Sequence, residues 1–73
     1  MPKFPRDVTQ AEAVRALVRA GGEEVARQGK GSHRAVRMPN GQRIILPYHL
    51  KTGLLRDMIK EAGLTVDEFI DLL

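Results

Sequence analysis

The sequence contains no cysteine, no tryptophan and no long apolar run. Without cysteine, the chain has no disulfide framework, no thiolate nucleophile and no cysteine–zinc cluster. No stretch approaches the roughly 18 apolar residues of a membrane span, and the N-terminus lacks the apolar centre of a signal peptide. We therefore expect a cytoplasmic protein with no membrane contact. Its 73 residues predict a single domain over residues 1–73, with residues 1–7 as a flexible tail.

Acidic residues are absent from the middle of the chain, between Ala26 and Arg56, and all nine lie in the flanks. The same segment holds seven basic residues, which are Arg27, Lys30, Arg34, Arg37, Arg43, Lys51 and Arg56. A basic segment between acidic flanks favours a surface that binds a polyanion, most often nucleic acid. The alternative is an arginine-rich surface that serves solubility alone.

The N-terminal third predicts a helix followed by a short strand. Thr9 and Glu12 have the spacing of a capping box, in which each side chain bonds the backbone N–H of the other. Gly21-Gly22 should end the helix, since glycine takes the left-handed conformation without a β-carbon penalty. A weak pattern indicates a first strand over Glu24–Gln28. The predicted buried face of the helix contains Val14, Leu17 and Val18.

A hairpin is predicted around Met38-Pro39-Asn40-Gly41, which fits a type I turn followed by a left-handed glycine. A two-residue Asn40-Gly41 turn is the alternative, but Pro39 would then be a paired strand residue without an N–H. The three-residue loop sets the register, because a slip of one residue would exchange the two faces of the sheet. The predicted core pairs are Met38 with Gln42, Val36 with Ile44, and Arg34 with Leu46. The predicted outer pairs are Arg37 with Arg43, Ala35 with Ile45, and His33 with Pro47.

The C-terminal third predicts a second helix over about Thr52–Ala62 and then a short final helix. Gly63 should cap the second helix, and Thr65 with Glu68 repeats the capping-box spacing. The apolar stripe of the second helix is Leu54, Leu55, Met58, Ile59 and Ala62. Leu64 and Phe69 are spaced as a hydrophobic staple. The predicted fold is therefore α+β, with helices on one face of a small three-stranded antiparallel sheet.

His33 is the candidate catalytic residue, because histidine is suited to proton transfer near neutral pH. In metal-independent RNA cleavage a base removes the proton of a 2′-hydroxyl, and cations or amide N–H groups stabilise the phosphate charge. The predicted phosphate-binding residues are Lys30, Gly31, Ser32, Arg34, Arg37 and Arg43. The absence of acids from this segment argues against a two-metal nuclease, so we expect no metal and no cofactor.

Other roles for the histidines remain open at this point. His33 is also compatible with a polar loop residue that contacts phosphate or ends a strand, and lone histidines more often have such a role. His49 favours a capping or backbone-bonding role before the second helix, although two histidines can share acid and base work. Ser32 is a poor nucleophile because no Ser-His-Asp set can be assembled in a segment without acids.

The stretch "RQGKGSHRAVRMPNGQRIILPYH" followed by "KTGLLRDMIKEAGLTVDEF" resembles the HicA toxins of HicAB toxin–antitoxin systems. Three features match in order: the loop Gly31-Ser32-His33, the proline-containing hairpin that closes with "LPYH", and the pattern from Lys51 to Leu64. The similarity extends from about Val8 to Leu73. One departure is Gly22, where the family often has an aromatic residue, and it predicts looser packing after the first helix. The extra residue in "GKGSH" predicts a longer loop.

The resemblance implies a fold similar to the double-stranded-RNA-binding domain, in the order α-β-β-β-α. It also implies an mRNA-cleaving endoribonuclease that needs no metal, with His33 as its catalytic histidine. The expected partners are mRNA and a HicB antitoxin that blocks the active site. Direct contact with DNA is expected within the toxin–antitoxin complex alone.

Two function classes compete with a ribonuclease. One is a non-catalytic RNA-binding module, which would contact duplex RNA by shape and phosphate. The start of the second helix, from Thr52 to Asp57, lacks the lysine cluster that such modules usually present. The other is a purely structural interaction domain, and it leaves the basic segment unexplained.

Overall fold

The computed structural model describes residues 7–25 and 33–73. In this part of the chain a helix precedes a three-stranded antiparallel sheet, and two helices follow it. The elements are α1 (Gln10–Arg19), β1 (Glu23–Val25), β2 (Arg34–Arg37), β3 (Arg43–Leu46), α2 (Thr52–Glu61) and α3 (Val66–Leu72). The strand order is β1-β2-β3. The predicted α+β class is therefore confirmed. No described helix is long and apolar enough to cross a membrane.

Both predicted capping boxes are present. At the start of α1, the Thr9 backbone N–H donates to Oε1 of Glu12 over 3.0 Å, and the Glu12 N–H donates to the Thr9 hydroxyl over 3.1 Å. The pKa of the Glu12 carboxyl is lowered, mainly because it accepts the hydrogen bond from the Thr9 backbone N–H. Thr65 and Glu68 make the same pair of bonds at the start of α3. Each box satisfies two N–H groups that a helix start would otherwise leave unpaired.

The end of α1 packs more tightly than the sequence suggests. Gly21 takes a left-handed φ of 103°, and the Gly22 N–H donates to the Leu17 carbonyl over 2.9 Å. A β-carbon at Gly22 would lie 2.7 Å from Cγ1 of Val36 and 2.8 Å from the Leu17 carbonyl oxygen. The predicted loose packing after α1 is therefore wrong, because the sheet approaches the backbone too closely for any side chain at Gly22.

The hairpin has the predicted turn and register. The Gly41 N–H donates to the Met38 carbonyl over 2.9 Å, and Gly41 takes a φ of 90°. The Met38 N–H donates to the Gln42 carbonyl over 2.8 Å, which closes the three-residue loop. The pairs beyond it are Arg37 with Arg43, Val36 with Ile44, Ala35 with Ile45, and Arg34 with Leu46. The predicted pair of His33 with Pro47 lies beyond the paired residues and stays a prediction.

The first strand differs slightly from its prediction. β1 begins at Glu23, one residue earlier than expected, and its described part ends at Val25. The predicted continuation to Gln28 lies outside the described residues. β1 pairs antiparallel with β2, and its partners place Glu23 opposite Arg37 and Glu24 opposite Val36.

The core lies between the helices and one face of the sheet. Its largest fully buried side chains are Leu17, Val36, Ile44, Leu46, Ile59 and Phe69. Burying an aliphatic or aromatic side chain of this size stabilises the fold by about 1.5–3 kcal/mol. The predicted stripe of α2 is confirmed at Leu55, Met58, Ile59 and Ala62. Leu54 and Val18 were also expected in the core, but they are 38% and 43% exposed to solvent. They lie at the edges of the buried faces of α2 and α1.

Long-range hydrogen bonds fix the hairpin against the helices. The Asn40 side-chain amide donates to the Glu61 carbonyl over 3.1 Å and thereby joins the turn to the end of α2. The buried side chain of Gln10 donates to the Leu46 carbonyl over 2.8 Å and joins the start of α1 to the end of β3. These bonds hold the two strands in a fixed position, so that their outward face keeps a defined arrangement.

Candidate active site

His33 lies immediately before β2 and is exposed to solvent. Side chains alternate between the two faces of a strand, and Ala35 and Arg37 lie on the face opposite the core. The same alternation predicts that His33 belongs to this outward face. Lys30, Gly31 and Ser32, the predicted phosphate-binding loop, lie outside the described residues, as does the predicted lengthening of that loop.

We call the outward side of the sheet the open face. Arg37 and Arg43 lie on it as direct cross-strand partners, and both are exposed. Glu23 is the cross-strand partner of Arg37 on its other side. Two like charges directly opposite each other cost stability in an isolated sheet. A bound anion such as a phosphate would offset this cost, and a guanidinium group suits phosphate geometry.

Arg34 points to the other side of the sheet and has an ionic partner. Its Nε lies 2.7 Å from Oε2 of Glu24, and its Nη2 lies 2.9 Å from Oε1. The pKa of Arg34 is raised, mainly because its side chain is hydrogen-bonded to Glu24. The guanidinium predicted to bind phosphate therefore forms a two-bond pair with a carboxylate. Its role in RNA binding stays a prediction.

No acidic residue lies within the basic segment along the sequence, but two carboxylates lie beside it in the folded protein. Antiparallel pairing with β1 brings Glu23 beside Arg37 and Glu24 onto Arg34. β1 lies outside the acid-free segment along the chain, and its pairing with β2 brings these two carboxylates beside the basic residues. Sequence reasoning missed the pair because the pattern of β1 was too weak to set a register with β2.

His49 follows Tyr48 in the segment between β3 and α2, and both side chains are exposed. Their rings meet edge to face, with centroids 5.0 Å apart and planes at 83°. Lys51, and not His49, occupies the N-cap position of α2, and its side chain makes no capping hydrogen bond. His49 is therefore not the N-cap of α2, and the predicted alternative of a backbone-bonding role stays a prediction.

A cleft of about 650 Å³ lies beside this segment, between residues 7–11 and residues 48–51. Its described lining includes Tyr48, His49 and Lys51, together with Asp7. His33 is not among these lining residues. Within residues 7–25 and 33–73, no group of three or more His, Cys, Asp or Glu side chains is placed to hold a metal ion.

Comparison with known protein families adds an independent finding. A family model described as the HicA toxin of bacterial toxin–antitoxin systems matches residues 11–64. No individually curated protein matches the chain. The matched span runs from α1 through the sheet to the end of α2, and it contains His33, Arg37 and Arg43. The chain belongs to the HicA toxin family and is the toxin of a bacterial toxin–antitoxin system.

Proposed function

We propose that this HicA toxin is an mRNA-cleaving endoribonuclease that works without a metal ion and uses His33 as its general base. The observation that carries the proposal is the position of His33. It is exposed at the start of β2, on a sheet whose open face carries the paired guanidinium groups of Arg37 and Arg43. Membership of the HicA family supports the same function, since these toxins are generally mRNA interferases.

The proposed reaction begins when the neutral imidazole of His33 takes the proton of a ribose 2′-hydroxyl. The 2′-oxygen attacks the adjacent phosphorus, the bond to the 5′-oxygen breaks, and a cyclic phosphate remains on one product. The leaving 5′-oxygen must gain a proton, and His49 is the second histidine available to supply it. DNA has no 2′-hydroxyl and cannot react in this way.

The negative charge that grows on the phosphate requires nearby donors. Arg37 and Arg43 supply two guanidinium groups on the open face. The loop before His33 would contribute the Lys30 ammonium, the Gly31 N–H and the Ser32 hydroxyl. The pair between Arg34 and Glu24 lies on the core side, so in this scheme Arg34 contributes to the phosphate site only if that pair opens.

A HicB-type antitoxin would neutralise the toxin by covering this site. Contact with DNA would occur only within the toxin–antitoxin complex, as the family resemblance implies.

His33→Ala tests the proposal directly. We expect cleavage of RNA in the presence of a metal chelator to fall by about 10²–10⁴-fold, the usual contribution of a general base. The folded state should be retained, because substitutions at exposed positions usually change stability by less than about 0.5 kcal/mol. Circular dichroism and thermal unfolding would check the fold, and gel analysis of a defined mRNA would measure the cleavage rate.

His49→Ala is the comparison variant, since it removes the other exposed histidine and with it the proposed proton donor to the leaving group. A smaller loss than that of His33→Ala would assign His49 to the acid step or to RNA contact. Undiminished cleavage by folded His33→Ala protein would exclude His33 as the base. A wild-type protein that binds RNA but never cuts it would instead be a non-catalytic RNA-binding module.

A further inference from the structure

The cleft beside the segment between β3 and α2 lies at the same end of the sheet as His33. Leu46, the last residue of β3, pairs with Arg34, the first residue of β2, so the chain leaves β3 at the end where it enters β2 from His33. The Gln10 side chain donates to the Leu46 carbonyl and holds the start of α1 against this end. The cleft between α1 and residues 48–51 is therefore a second site at the same end of the sheet.

Two of the polar side chains that line the cleft already have partners within the fold. Thr9 forms the capping box of α1, and Gln10 bonds the Leu46 carbonyl. The capping box satisfies two N–H groups at the start of α1, so the helix start by itself does not define a binding site. Of the described lining, Asp7 supplies a carboxylate and Lys51 an ammonium group, and the Lys51 side chain makes no capping hydrogen bond.

Tyr48 adds an aromatic ring to the lining of this cleft. It is 66% exposed, and its ring meets the ring of His49 edge to face. In an edge-to-face pair at least one face of each ring stays uncovered by the other ring, so Tyr48 can stack on a planar group. Single-stranded nucleic acids bind proteins by this kind of stacking, because every base has a π-face. One exposed ring is suited to one base.

The three groups together match a guanine nucleotide. The Tyr48 ring suits the base, and the Lys51 ammonium suits a phosphate. The ionised Asp7 carboxylate accepts hydrogen bonds and cannot donate any. Guanine presents two neighbouring donors, its ring N1–H and its N2 amino group, which fit the two oxygens of a carboxylate. Uracil offers a single N–H between two carbonyl oxygens, which a carboxylate would repel. The cleft volume of about 650 Å³ is typical of small-molecule sites.

We propose that the cleft binds the nucleotide that follows the cut in the RNA, with guanine as its preferred base. In the proposed reaction His49 protonates the leaving 5′-oxygen, and His49 also lines the cleft. That oxygen belongs to the nucleotide on the 3′ side of the scissile phosphate. Its base stacks on Tyr48 and donates to Asp7, and its 3′-phosphate pairs with Lys51. The placement after the cut rests on the proposed function, whereas the guanine site does not.

Nucleotide binding tests the guanine site without any cleavage. The probes are guanosine 3′-monophosphate and uridine 3′-monophosphate, each titrated into isotope-labelled protein and followed by NMR. We expect the guanine nucleotide to bind about tenfold more tightly, the discrimination that a two-bond contact to a base edge provides. It should also shift the amide signals of residues 48–51. Equal affinities for the two nucleotides, or shifts confined to other parts of the chain, would overturn the proposal.

Substitutions at the stacking residue test the contact with the base. Tyr48→Leu removes the aromatic ring and should weaken binding of the guanine nucleotide about tenfold. Tyr48→Phe keeps the ring and should bind it nearly as the wild type does. Circular dichroism checks that both variants are folded. Wild-type affinity in folded Tyr48→Leu protein would contradict stacking in the cleft.

Asp7→Asn tests the origin of the base preference. It should remove the preference for guanine over uracil, because an amide group offers one acceptor oxygen in place of two. Asparagine also tolerates the left-handed φ of 57° at Asp7, so the substitution keeps the backbone conformation. Asp71→Asn is the matched control, since it makes the same chemical change at an exposed position on α3 and should retain the preference. An unchanged preference in Asp7→Asn would exclude the carboxylate contact.

Mapping of cleavage sites in a pool of randomised RNAs places the nucleotide relative to the cut. The wild type and Asp71→Asn should enrich guanine at the first position after the cut, and Asp7→Asn should lose this enrichment. Enrichment at another position, or at none, would overturn the placement. A wild-type protein that never cuts RNA would refute the proposed function, and a guanine preference in the nucleotide titration would still support the binding site.

Discussion

The two faces of the sheet differ in what surrounds them, although β3 gives an isoleucine to each face. Ile44 and Ile45 are neighbours on β3, yet Ile44 is fully buried and Ile45 is 49% exposed. The core face buries Val36, Ile44 and Leu46 completely. The open face carries Arg37 and Arg43 next to the exposed Ile45. One side of each strand therefore stabilises the fold, and the other remains available for ligands.

Replacing each isoleucine in turn gives the sharpest test of this difference. Ile44→Ala should lower the free energy of unfolding by about 2–5 kcal/mol, because it leaves a cavity in the core. Ile45→Ala should lower it by less than about 1 kcal/mol, mainly through weaker strand preference. Urea denaturation followed by circular dichroism would measure both. Equal losses would show that the open face is covered in the isolated protein.

Charge reversal on the open face should act on RNA binding and not on stability. Arg37→Glu places a carboxylate between Glu23 and Arg43, so one unfavourable and one favourable neighbour nearly cancel. RNA affinity should fall more at low salt than at high salt, and the slope of log K against log salt should decrease by about 1 for each lost phosphate contact. Fluorescence anisotropy over a salt series would measure the slope.

Arg15→Glu is the control for that series, because it reverses an equal charge at an exposed position on α1. It should leave the salt slope closer to the wild-type value than Arg37→Glu does. An unchanged slope in Arg37→Glu would remove the open face from the phosphate-binding surface.

The smallest expected change in stability and RNA affinity concerns Arg34, which lies on the core side of the sheet. The side chains of Arg34 and Glu24 are 20% and 32% exposed, so their pair should contribute less than about 1 kcal/mol. Glu24→Gln should therefore change the unfolding free energy little. RNA affinity should rise, because the substitution releases the Arg34 guanidinium for phosphate.

Glu23→Gln provides the comparison, since it removes an equal charge from the adjacent residue, on the open face. A rise in RNA affinity specific to Glu24→Gln would assign Arg34 to phosphate binding. Equal effects in the two variants would reflect net charge alone and would leave Arg34 as a structural residue of the sheet.

Local signals made much of the fold predictable. The capping pairs Thr9 with Glu12 and Thr65 with Glu68 join residues three apart, so the sequence shows both partners at once. The turn at Pro39-Asn40-Gly41 likewise set the register of β2 and β3. The predicted burial of Val18 and Leu54 was wrong. Helical periodicity identifies the apolar face of a helix, but it does not show which residues at the edge of that face other elements cover.

Part of the candidate site was also predictable from the sequence. Strand alternation together with the turn identified the open face and the pairing of Arg37 with Arg43. The pair of Arg34 with Glu24 was not predicted, since it depends on how β1 docks against β2. The roles of Lys30, Gly31 and Ser32 rest on the sequence alone and stay predictions.

The sequence by itself determined the helix starts, the hairpin turn and the alternation of its two faces, because these depend on interactions between residues a few positions apart. Tertiary structure decided which apolar residues are buried, that Gln10 bonds Leu46, and that β1 brings two carboxylates to a basic segment. Such contacts depend on how the elements pack, and the chain distance between partners carries no information about them. Tertiary structure also decided which residues the open face exposes. The helices pack on one side of the sheet, and Ile45 and two arginines therefore stay exposed on the other.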